Sequence, residues 1–326
     1  MHPAFSVIFL TTLIGVGQGL FLALYTGQVY SLANLLPAQD SQGFYAIGSL
    51  VSLVFLGAGL FASFFHLGHP ERAWRTISQW RTSWLSREVI LLPAFMGLVF
   101  LYGVIHYFGW TGALFSIQGT LPIDASIIVG LLAGIIAFGL FGCTAMIYAS
   151  IKFIQDWHSP LTVINYTLLG IATGFMFAAA FSAFNGVDLV GFYGTWAVIF
   201  TLFGMVSRGL SLIRNRRLKC KVSLQSAIGV RHTRMEQKAQ GFMGGSFNTR
   251  EFFHGETQGT MLRVRILFLL LLFPVPIALI GASYMFESTN LPILAFAIQY
   301  LGALAERWYF FAEARHPQNL YYQSMA

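Results

Sequence analysis

The feature that most constrains this chain is a series of apolar stretches, each long enough to cross a lipid bilayer as an α-helix. A membrane-spanning helix needs roughly 20 predominantly apolar residues. Charged residues make up only 10% of the chain, well below the roughly 25% of soluble domains. The sequence therefore predicts an all-α, polytopic membrane protein with eight transmembrane helices, at residues 5–33, 44–66, 88–108, 125–149, 160–184, 188–212, 264–286 and 290–313.

The short connection KFIQDWHSP separates the predicted helices into two sets of four. We predict that residues 1–155 form an N-terminal four-helix bundle and that residues 156–326 form a C-terminal one. Glycines four residues apart, such as Gly170 and Gly174, allow helix backbones to approach each other closely. They indicate a packed bundle and nothing more specific.

The distribution of basic residues predicts the orientation. All 19 Lys and Arg lie in or beside the segments expected on the side of both chain ends, including 67–87, 150–159 and 213–263. Because basic residues accumulate on the cytoplasmic side, we expect both termini in the cytoplasm. The same asymmetry accounts for the net charge of +7 without nucleic-acid binding. The first span lacks a basic n-region and is too long for a signal peptide, so we expect it to be retained.

Metal and haem chemistry on this chain is not indicated. The two cysteines, Cys143 and Cys220, are too few for an iron–sulfur cluster, which takes four ligands. Only His66 and His106 fall within predicted spans, at opposite ends of the hydrocarbon core, where one haem cannot bridge them. We therefore expect no metal site and no haem.

The segment 213–263 is the longest predicted loop. It begins with the basic run IRNRRLKCK, which contains Arg216 and Arg217, and its second half mixes glycines and charges with phenylalanines. A disordered loop would be poor in aromatic residues. Two readings stay open, a surface that docks a partner protein and a cap that packs on the chain's own bundle. The residues expected at a docking surface are Arg216, Arg217, Phe247, Phe252 and Phe253.

Few polar residues lie deep in the predicted spans. They are Gln18 in the first span and the neighbours Glu306 and Arg307 in the last. Adjacent helical residues point about 100° apart, so we expect Glu306 and Arg307 to contact different neighbours. They form either an ion pair that fixes helix packing or a proton-linked, ligand-orienting pair beside a cavity. A transport path would require more buried charges and broken helices, which the sequence does not indicate.

Between the second and third spans lies HLGHPERAWRTISQWRTSWLSRE, residues 66–88. Arginine and tryptophan at a membrane interface are ordinary anchors. A histidine that closes an apolar helix is a less usual anchor, and His66 could donate a hydrogen bond to a ligand arriving from the bilayer. A quinone needs such a donor, apolar walls and a source of protons, and the pKa of histidine lies near neutrality.

These residues carry a family resemblance. HLGHPERAW followed by SWLSRE resembles the HLG-x-P-x-R-A … LS-x-E signature of the membrane anchor subunits of dimethyl sulfoxide reductase-type molybdoenzymes. GVGQG, IYASIKFIQDWHSPLT and GALAERWYFF resemble the family's first helix, the segment after its fourth helix and its last helix. The long loop and the ending AERWYFFAEARHPQNLYY are most similar to the anchors of cytoplasm-facing sulfite dehydrogenases of sulfur-oxidising bacteria.

The resemblance implies eight transmembrane helices, no haem, and partners on the cytoplasmic side. These partners are a four-cluster iron–sulfur subunit and a catalytic subunit with a molybdenum bis-pterin guanine dinucleotide. The anchor exchanges their electrons with ubiquinone or menaquinone in the bilayer. The family's motif histidine, implicated in quinone chemistry, falls on His66, which is the expected catalytic residue in the N-terminal bundle. The expected quinone-binding residues are Gln18, His66, Arg72, Glu306 and Arg307. Glu306 departs from the pattern, since some relatives carry a glutamate where this chain has Ala303.

The leading hypothesis is a quinone-reactive anchor in the bacterial cytoplasmic membrane, reducing quinone during cytoplasmic sulfite oxidation. The active site for the soluble substrate would lie in another subunit. One alternative is the quinol-oxidising anchor of a dimethyl sulfoxide or polysulfide reductase. A proton-conducting or transport protein is an alternative from another class. A purely structural tether is a third, and it would tolerate changes at His66 and Arg72.

Overall fold

The protein is described by a computed structural model that covers residues 1–117, 121–184, 189–219, 223–236, 238 and 251–321. The chain is almost entirely helical. Its α-helices are α1 (Phe5–Leu32), α2 (Ile47–Ser63), α3 (Trp84–Tyr107), α4 (Ala125–Ala149), α5 (Pro160–Phe184), α6 (Val190–Arg217), α7 (Leu224–Ile228), α8 (Gln258–Leu272), α9 (Pro274–Met285) and α10 (Asn290–Glu313). A short antiparallel hairpin, β1 (Phe115–Ile117) and β2 (Leu121–Ile123), precedes α4.

Within the described ranges, seven helical segments are long and apolar enough to cross a membrane. They correspond to the first seven predicted spans, with α8 and α9 together forming the seventh. The eighth predicted span is helix α10, which has 24 residues but more polar ones along its length. The predicted class of polytopic, all-α membrane protein is thus confirmed, whereas the count of eight crossings is not.

The seventh span is broken, contrary to the expectation of continuous helices. Phe273 leaves the helical conformation, with φ −118° and ψ −80°, and Pro274 begins α9. Proline cannot donate a backbone hydrogen bond, so it interrupts a helix where it stands. The Gln299 amide of α10 donates to the freed carbonyl of Leu272 at 3.3 Å. The break therefore lies inside the protein, where a neighbouring helix satisfies it.

Helices α1 and α5 are the most completely buried spans and pack against each other. A side chain on Gly19 would collide with the backbone of Gly170 and Gly174, as would one on Gly174 with the backbone of Gly19. The glycine spacing thus correctly predicted close helix contact. The largest buried core joins residues of α1 to α6 with Ile280 of α9 and Ala295 of α10. The predicted division into two four-helix bundles is not confirmed, and the domain boundary near residue 155 stays a prediction.

The end of the bundle away from the chain termini is closed by a hydrogen-bonded cluster around the buried His106. Ser41 lies 2.7 Å from its Nδ1, and Gln28 lies 3.3 Å from its Nε2. Gln28 in turn bonds Tyr102 at 2.8 Å and Ser126 at 2.5 Å. Ser41 begins a π-helical turn, Ser41–Ala46, that leads into α2. His106 therefore fixes the start of α2.

Candidate quinone site

The side chains that converge inside the bundle line a small, partly open cavity between α1, α4, α5 and α10. Three of the residues expected at a quinone site, Gln18, Glu306 and Arg307, line it. Its walls combine apolar groups with a few polar ones, which is the usual composition of a small-molecule site. The apolar part of the lining includes Ile14, Gly15, Phe141, Leu169, Gly170 and Ala303.

Arg307 presents an unused donor to this cavity. Its guanidinium carbon lies 4.0 Å from the centre of the Tyr166 ring, stacked over the face of that ring. Tyr166 is a polar neighbour of this guanidinium, and within the described part of the chain no second acceptor completes the hydrogen bonds of Nη1. A buried polar atom without a partner costs free energy. The guanidinium thus keeps donor capacity for a ligand's oxygen beside Tyr166.

The sequence suggested that Glu306 and Arg307 contact different neighbours. In the structure, the two side chains instead form an ion pair with each other. Arg307 Nε lies 2.6 Å from Glu306 Oε2, and Arg208 Nε of α6 lies 2.7 Å from Glu306 Oε1. The three side chains are almost fully buried, at 1–6% exposure. The expectation failed because an arginine side chain is long enough to fold back on its neighbour, and because a carboxylate has two oxygens.

Arg208 also approaches a second carboxylate. Its Nη2 lies 3.6 Å from Glu313 Oε2, at the C-terminal end of α10. The result is a chain of charges, Arg307, Glu306, Arg208 and Glu313, leading from the cavity toward the end of the bundle that holds both termini. Sequence reasoning missed Arg208 because an arginine near the end of a span is indistinguishable from an interface anchor.

Glu88 was also missed. This carboxyl on α3 is buried, and Thr144 donates a hydrogen bond of 2.5 Å to its Oε1. Thr144 lines the cavity, so Glu88 lies directly behind the cavity wall. No basic side chain pairs with Glu88 among the described residues. The available signal was the last letter of the LS-x-E motif, SWLSRE, which the prediction did not use.

His66 and the cavity lie on different sides of α1. A side chain on Gly17 would meet Leu56 of α2, whereas one on Gly15 would meet Gly170 of α5. Residues two positions apart on a helix point about 200° apart, so α2 and α5 pack on opposite faces of α1. The cavity is on the α5 face. His66 ends the 3₁₀ turn that follows α2.

His66 is exposed, and so is Arg72 on the next 3₁₀ segment, Pro70–Gln79. Among the described residues, the one carboxylate near Arg72 Nε is that of Glu71, at 3.6 Å. The structure therefore brings Gln18, Glu306 and Arg307 together and leaves His66 and Arg72 outside that group. Trp74 and Trp80 are exposed and Trp84 is half-buried, and each has an arginine over its ring, as in Arg87 over Trp84 at 4.2 Å. That arrangement suits a membrane interface.

Part of the long loop packs on the chain itself. The Phe252 ring stacks on His316 with ring centres 3.7 Å apart, and Asn319 donates to the Phe252 carbonyl at 3.0 Å. Phe252 and Phe253 are half-buried. Arg216 and Arg217 are exposed at the end of α6. Phe247, like Phe242 and Cys220, lies outside the described residues. The cap reading thus holds for Phe252, while docking of a partner stays a prediction.

The chain's amino terminus is tied to the same end of the bundle. The Met1 ammonium donates to the carbonyls of Ala314 at 2.9 Å and Ala312 at 3.4 Å, on either side of Glu313. Burial lowers the pKa of this group to about 6, opposed by the nearby carboxylate of Asp156. The contact brings the start of α1 and the end of α10 to one face, together with the charge chain.

A multi-span helical bundle with a polar cavity near the face of its termini is consistent with a membrane anchor subunit. Residues 1–311 match the model of the family "DMSO reductase anchor subunit (DmsC)". The chain belongs to this family and is a multi-pass membrane protein.

Among curated proteins, the chain is similar to a sulfite dehydrogenase subunit of Allochromatium vinosum. The two are 63% identical over 326 residues, which cover 100% of each chain. The predicted resemblance to sulfite dehydrogenase anchors is thereby confirmed.

Proposed function

We propose that this protein exchanges electrons between an iron–sulfur subunit and quinone in the bilayer, and that the quinone ring binds in the cavity between α1, α5 and α10. The observation that carries the proposal is the buried Arg307, which lines the cavity beside Tyr166 and keeps donor capacity on its guanidinium among the described residues. A quinone carbonyl would accept that hydrogen bond. The apolar wall, including Ile14 and Leu169, suits the ring.

The polar groups around the cavity suit the two requirements of quinone reduction, which are hydrogen bonds to the carbonyls and a supply of protons. Arg307 and Tyr166 can donate to one carbonyl, and the Gln18 amide, which donates to Ala137 O at 3.2 Å, lies on another wall. Reduction also requires protons, and the carboxyl groups of Glu306 and Glu88 are the nearest buried groups that can carry them. We propose that His66, on the α2 side of α1, donates a hydrogen bond to quinone at the membrane boundary.

We propose eight crossings, with both termini in the cytoplasm of a bacterium. The Met1–Ala314 contact supports an even number of crossings, because it puts both ends of the chain on one face. Seven crossings would leave the two ends on opposite faces, which favours α10 as the eighth. Its 24 residues extend about 36 Å, enough to cross the core. The basic residues on the terminal face support the cytoplasmic assignment.

The relative's name supports sulfite as the donor whose electrons reach the quinone. In that reading, a molybdenum bis-pterin subunit oxidises sulfite, a four-cluster iron–sulfur subunit relays the electrons, and both sit on the cytoplasmic face. The exposed Arg216 and Arg217 would contribute to docking there. The geometry of the cavity serves electron flow in either direction, and a quinol-oxidising reductase anchor uses the same site in reverse.

The test compares two electron acceptors in membranes that contain the whole complex. Arg307→Lys keeps a positive charge beside Glu306 and removes the guanidinium fork that Nη1 belongs to. We expect sulfite-dependent reduction of decylubiquinone to fall by about 10- to 100-fold, the range for loss of a charged hydrogen bond. Reduction of ferricyanide, which does not need the quinone site, should continue.

The matched control is Arg263→Lys, because Arg263 is an exposed arginine on α8. It should leave both rates unchanged. An unchanged quinone rate in Arg307→Lys would exclude the cavity as the quinone site. If His66→Ala then abolished quinone reduction, the site would be at the α2 side of α1. A wild-type complex that reduces ferricyanide but no quinone would refute the proposed function itself.

A further inference from the structure

The charge chain beside the cavity has an exposed end and a buried end. The exposed fraction of the side chain falls from 15% at Glu313 to 3% at Arg208 and 1% at Glu306. Glu306 and Glu313 are seven positions apart on α10, about 10 Å along its axis. The inner carboxylate lines the cavity, and the outer one lies where α10 ends at the terminal face.

Arg208 holds the two carboxylates on one guanidinium. Its Nε contacts Glu306 and its Nη2 approaches Glu313, so the carboxyl oxygens are close to each other across a single planar group. Arginine does not release its proton in proteins. Its part is to orient two groups that do bind and release protons. Phe268 and Tyr309 flank the guanidinium, at 5.7 Å and 6.0 Å from their ring centres, and keep it in place.

The surroundings of Glu313 suit a group that takes up protons from water. Asn215 and Asp156 are its other polar neighbours on the terminal face. The Met1 ammonium binds the two carbonyls beside it. Between these groups Glu313 keeps partial access to solvent, whereas Glu306 has none. An ion pair with a purely structural role would need only Arg208 and Glu306, without a second carboxylate where α10 ends.

We propose that Glu313 and Glu306 form a proton relay that supplies the quinone cavity from the face that holds both termini. The relay rests on the proposed function. Reduction of one quinone takes two electrons from the iron–sulfur partner and two protons, one for each quinone oxygen. The relay supplies the oxygen held by Arg307, and Glu88 behind Thr144 is the group that would supply the other. Glu313 takes a proton from water, passes it to Glu306 beside Arg208, and Glu306 delivers it to the ring held by Arg307.

Electron arrival would drive the transfer. Glu306 shares Arg307 with the bound ring, at 2.6 Å from Arg307 Nε. Negative charge that develops on the quinone oxygen competes for this cation, so the ion pair of Arg307 with Glu306 weakens and Glu306 can carry a proton to that oxygen. The proton then moves to the oxygen, and Glu313 reprotonates Glu306. Protons and electrons would thus reach the quinone from the same face of the membrane.

Glu313→Gln tests the relay, because glutamine keeps the size of the side chain but cannot carry a proton. In membranes with the whole complex, we expect sulfite-to-decylubiquinone turnover to fall at least tenfold, while ferricyanide reduction shows that the complex is assembled. Added acetate, a small weak acid, should restore much of the quinone rate by replacing the missing carboxyl. The matched control is Glu256→Gln, an exposed glutamate of the loop before α8, which should behave as wild type.

Wild-type turnover in Glu313→Gln would overturn the relay, and so would a loss that acetate does not restore. Should Glu313→Gln fail to assemble, Glu313→Asp keeps the test open. The infrared difference between oxidised and reduced complexes should contain a carboxyl band that shifts in Glu313→Asp, and an unshifted spectrum would refute the proposal. If Arg307→Lys lowers the quinone rate and Glu313→Gln does not, the relay fails and the site stands. If the wild-type complex reduces no quinone, the proposed function fails.

Discussion

The strongest energetic consequence of the structure concerns Glu306, the carboxylate between two buried arginines. Its oxygens lie 2.7 Å from Arg208 Nε and 2.6 Å from Arg307 Nε, and it is 1% exposed. Glu306→Gln leaves two buried cations with only Glu313, 3.6 Å from Arg208, to balance them. Removing one partner of a buried ion pair costs about 3–5 kcal/mol. We expect a loss of unfolding free energy in that range.

The assay is unfolding of the full chain in mixed micelles by increasing fractions of sodium dodecyl sulfate. Glu71→Gln is the matched control, because Glu71 pairs with Arg72 at 3.6 Å with both side chains about 60% exposed. Such surface pairs contribute about 0–1 kcal/mol. Adding Arg208→Gln to Glu306→Gln removes one unbalanced cation, so the double variant should lose less than the sum of the single losses. If Glu306→Gln and Glu71→Gln lost equal stability, the charge chain would not be buried as described.

Three further outcomes are expected. Gly174→Ala should cost about 1–3 kcal/mol of unfolding free energy in the same assay, because the new methyl group meets the backbone of Gly19. Gly142→Ala is the control and should cost less, because its methyl group meets nothing within 4 Å. Equal losses would contradict the close contact of α1 and α5. The Met1 amine should titrate with a pKa of about 6 in pH-dependent acylation followed by mass spectrometry, and lower in Asp156→Asn. Because this pKa is below the unfolded value of 8.0, the unfolded chain binds more protons than the folded chain between pH 6 and 8. The free energy of unfolding should therefore rise with pH in that range. A measured pKa near 8 would refute this. Phe252→Ala should speed limited proteolysis of the loop before α8 by about 2- to 10-fold, which is the fold-change that corresponds to the free energy of one aromatic stack. His316→Ala should have the same effect, because it removes the other ring of the pair. Unequal effects would argue against their pairing.

The positions of the spans could be predicted from sequence because each depends on a local property, the length of an apolar run. Predicted bounds such as 125–149 and 290–313 coincide with α4 and α10. The break at Phe273 was missed, although LLFPVP contains two prolines. Proline is common in membrane helices and ends one only where a neighbour satisfies the freed carbonyl. Here Gln299 does so from α10, and that contact depends on tertiary structure.

The candidate site was predicted in part for the same reason. The prediction included Gln18, Glu306 and Arg307 because a polar residue within an apolar run can be recognised from the sequence alone. Arg208 and Glu88 lie near span ends, where a charge has two possible surroundings, headgroups or a neighbouring helix. Only the rotation of α6 and α3 decides between them, and both residues turn inward. His66 was weighted by its motif, and its position across α1 from the cavity depends on which glycine faces which helix.

The bundle holds two polar clusters at opposite ends, and their hydrogen bonding distinguishes a structural cluster from a binding site. Around His106, Gln28 and Ser41 occupy both ring nitrogens, so a ligand there would have to displace bonds already made. Around Arg307, the guanidinium has Glu306 and Tyr166 as neighbours and keeps donor capacity among the described residues. Leaving such donors unpaired costs about 1–3 kcal/mol each, which a ligand carbonyl would recover. The proposed quinone site therefore lies toward the face of the chain termini, where the charge chain ends at Glu313.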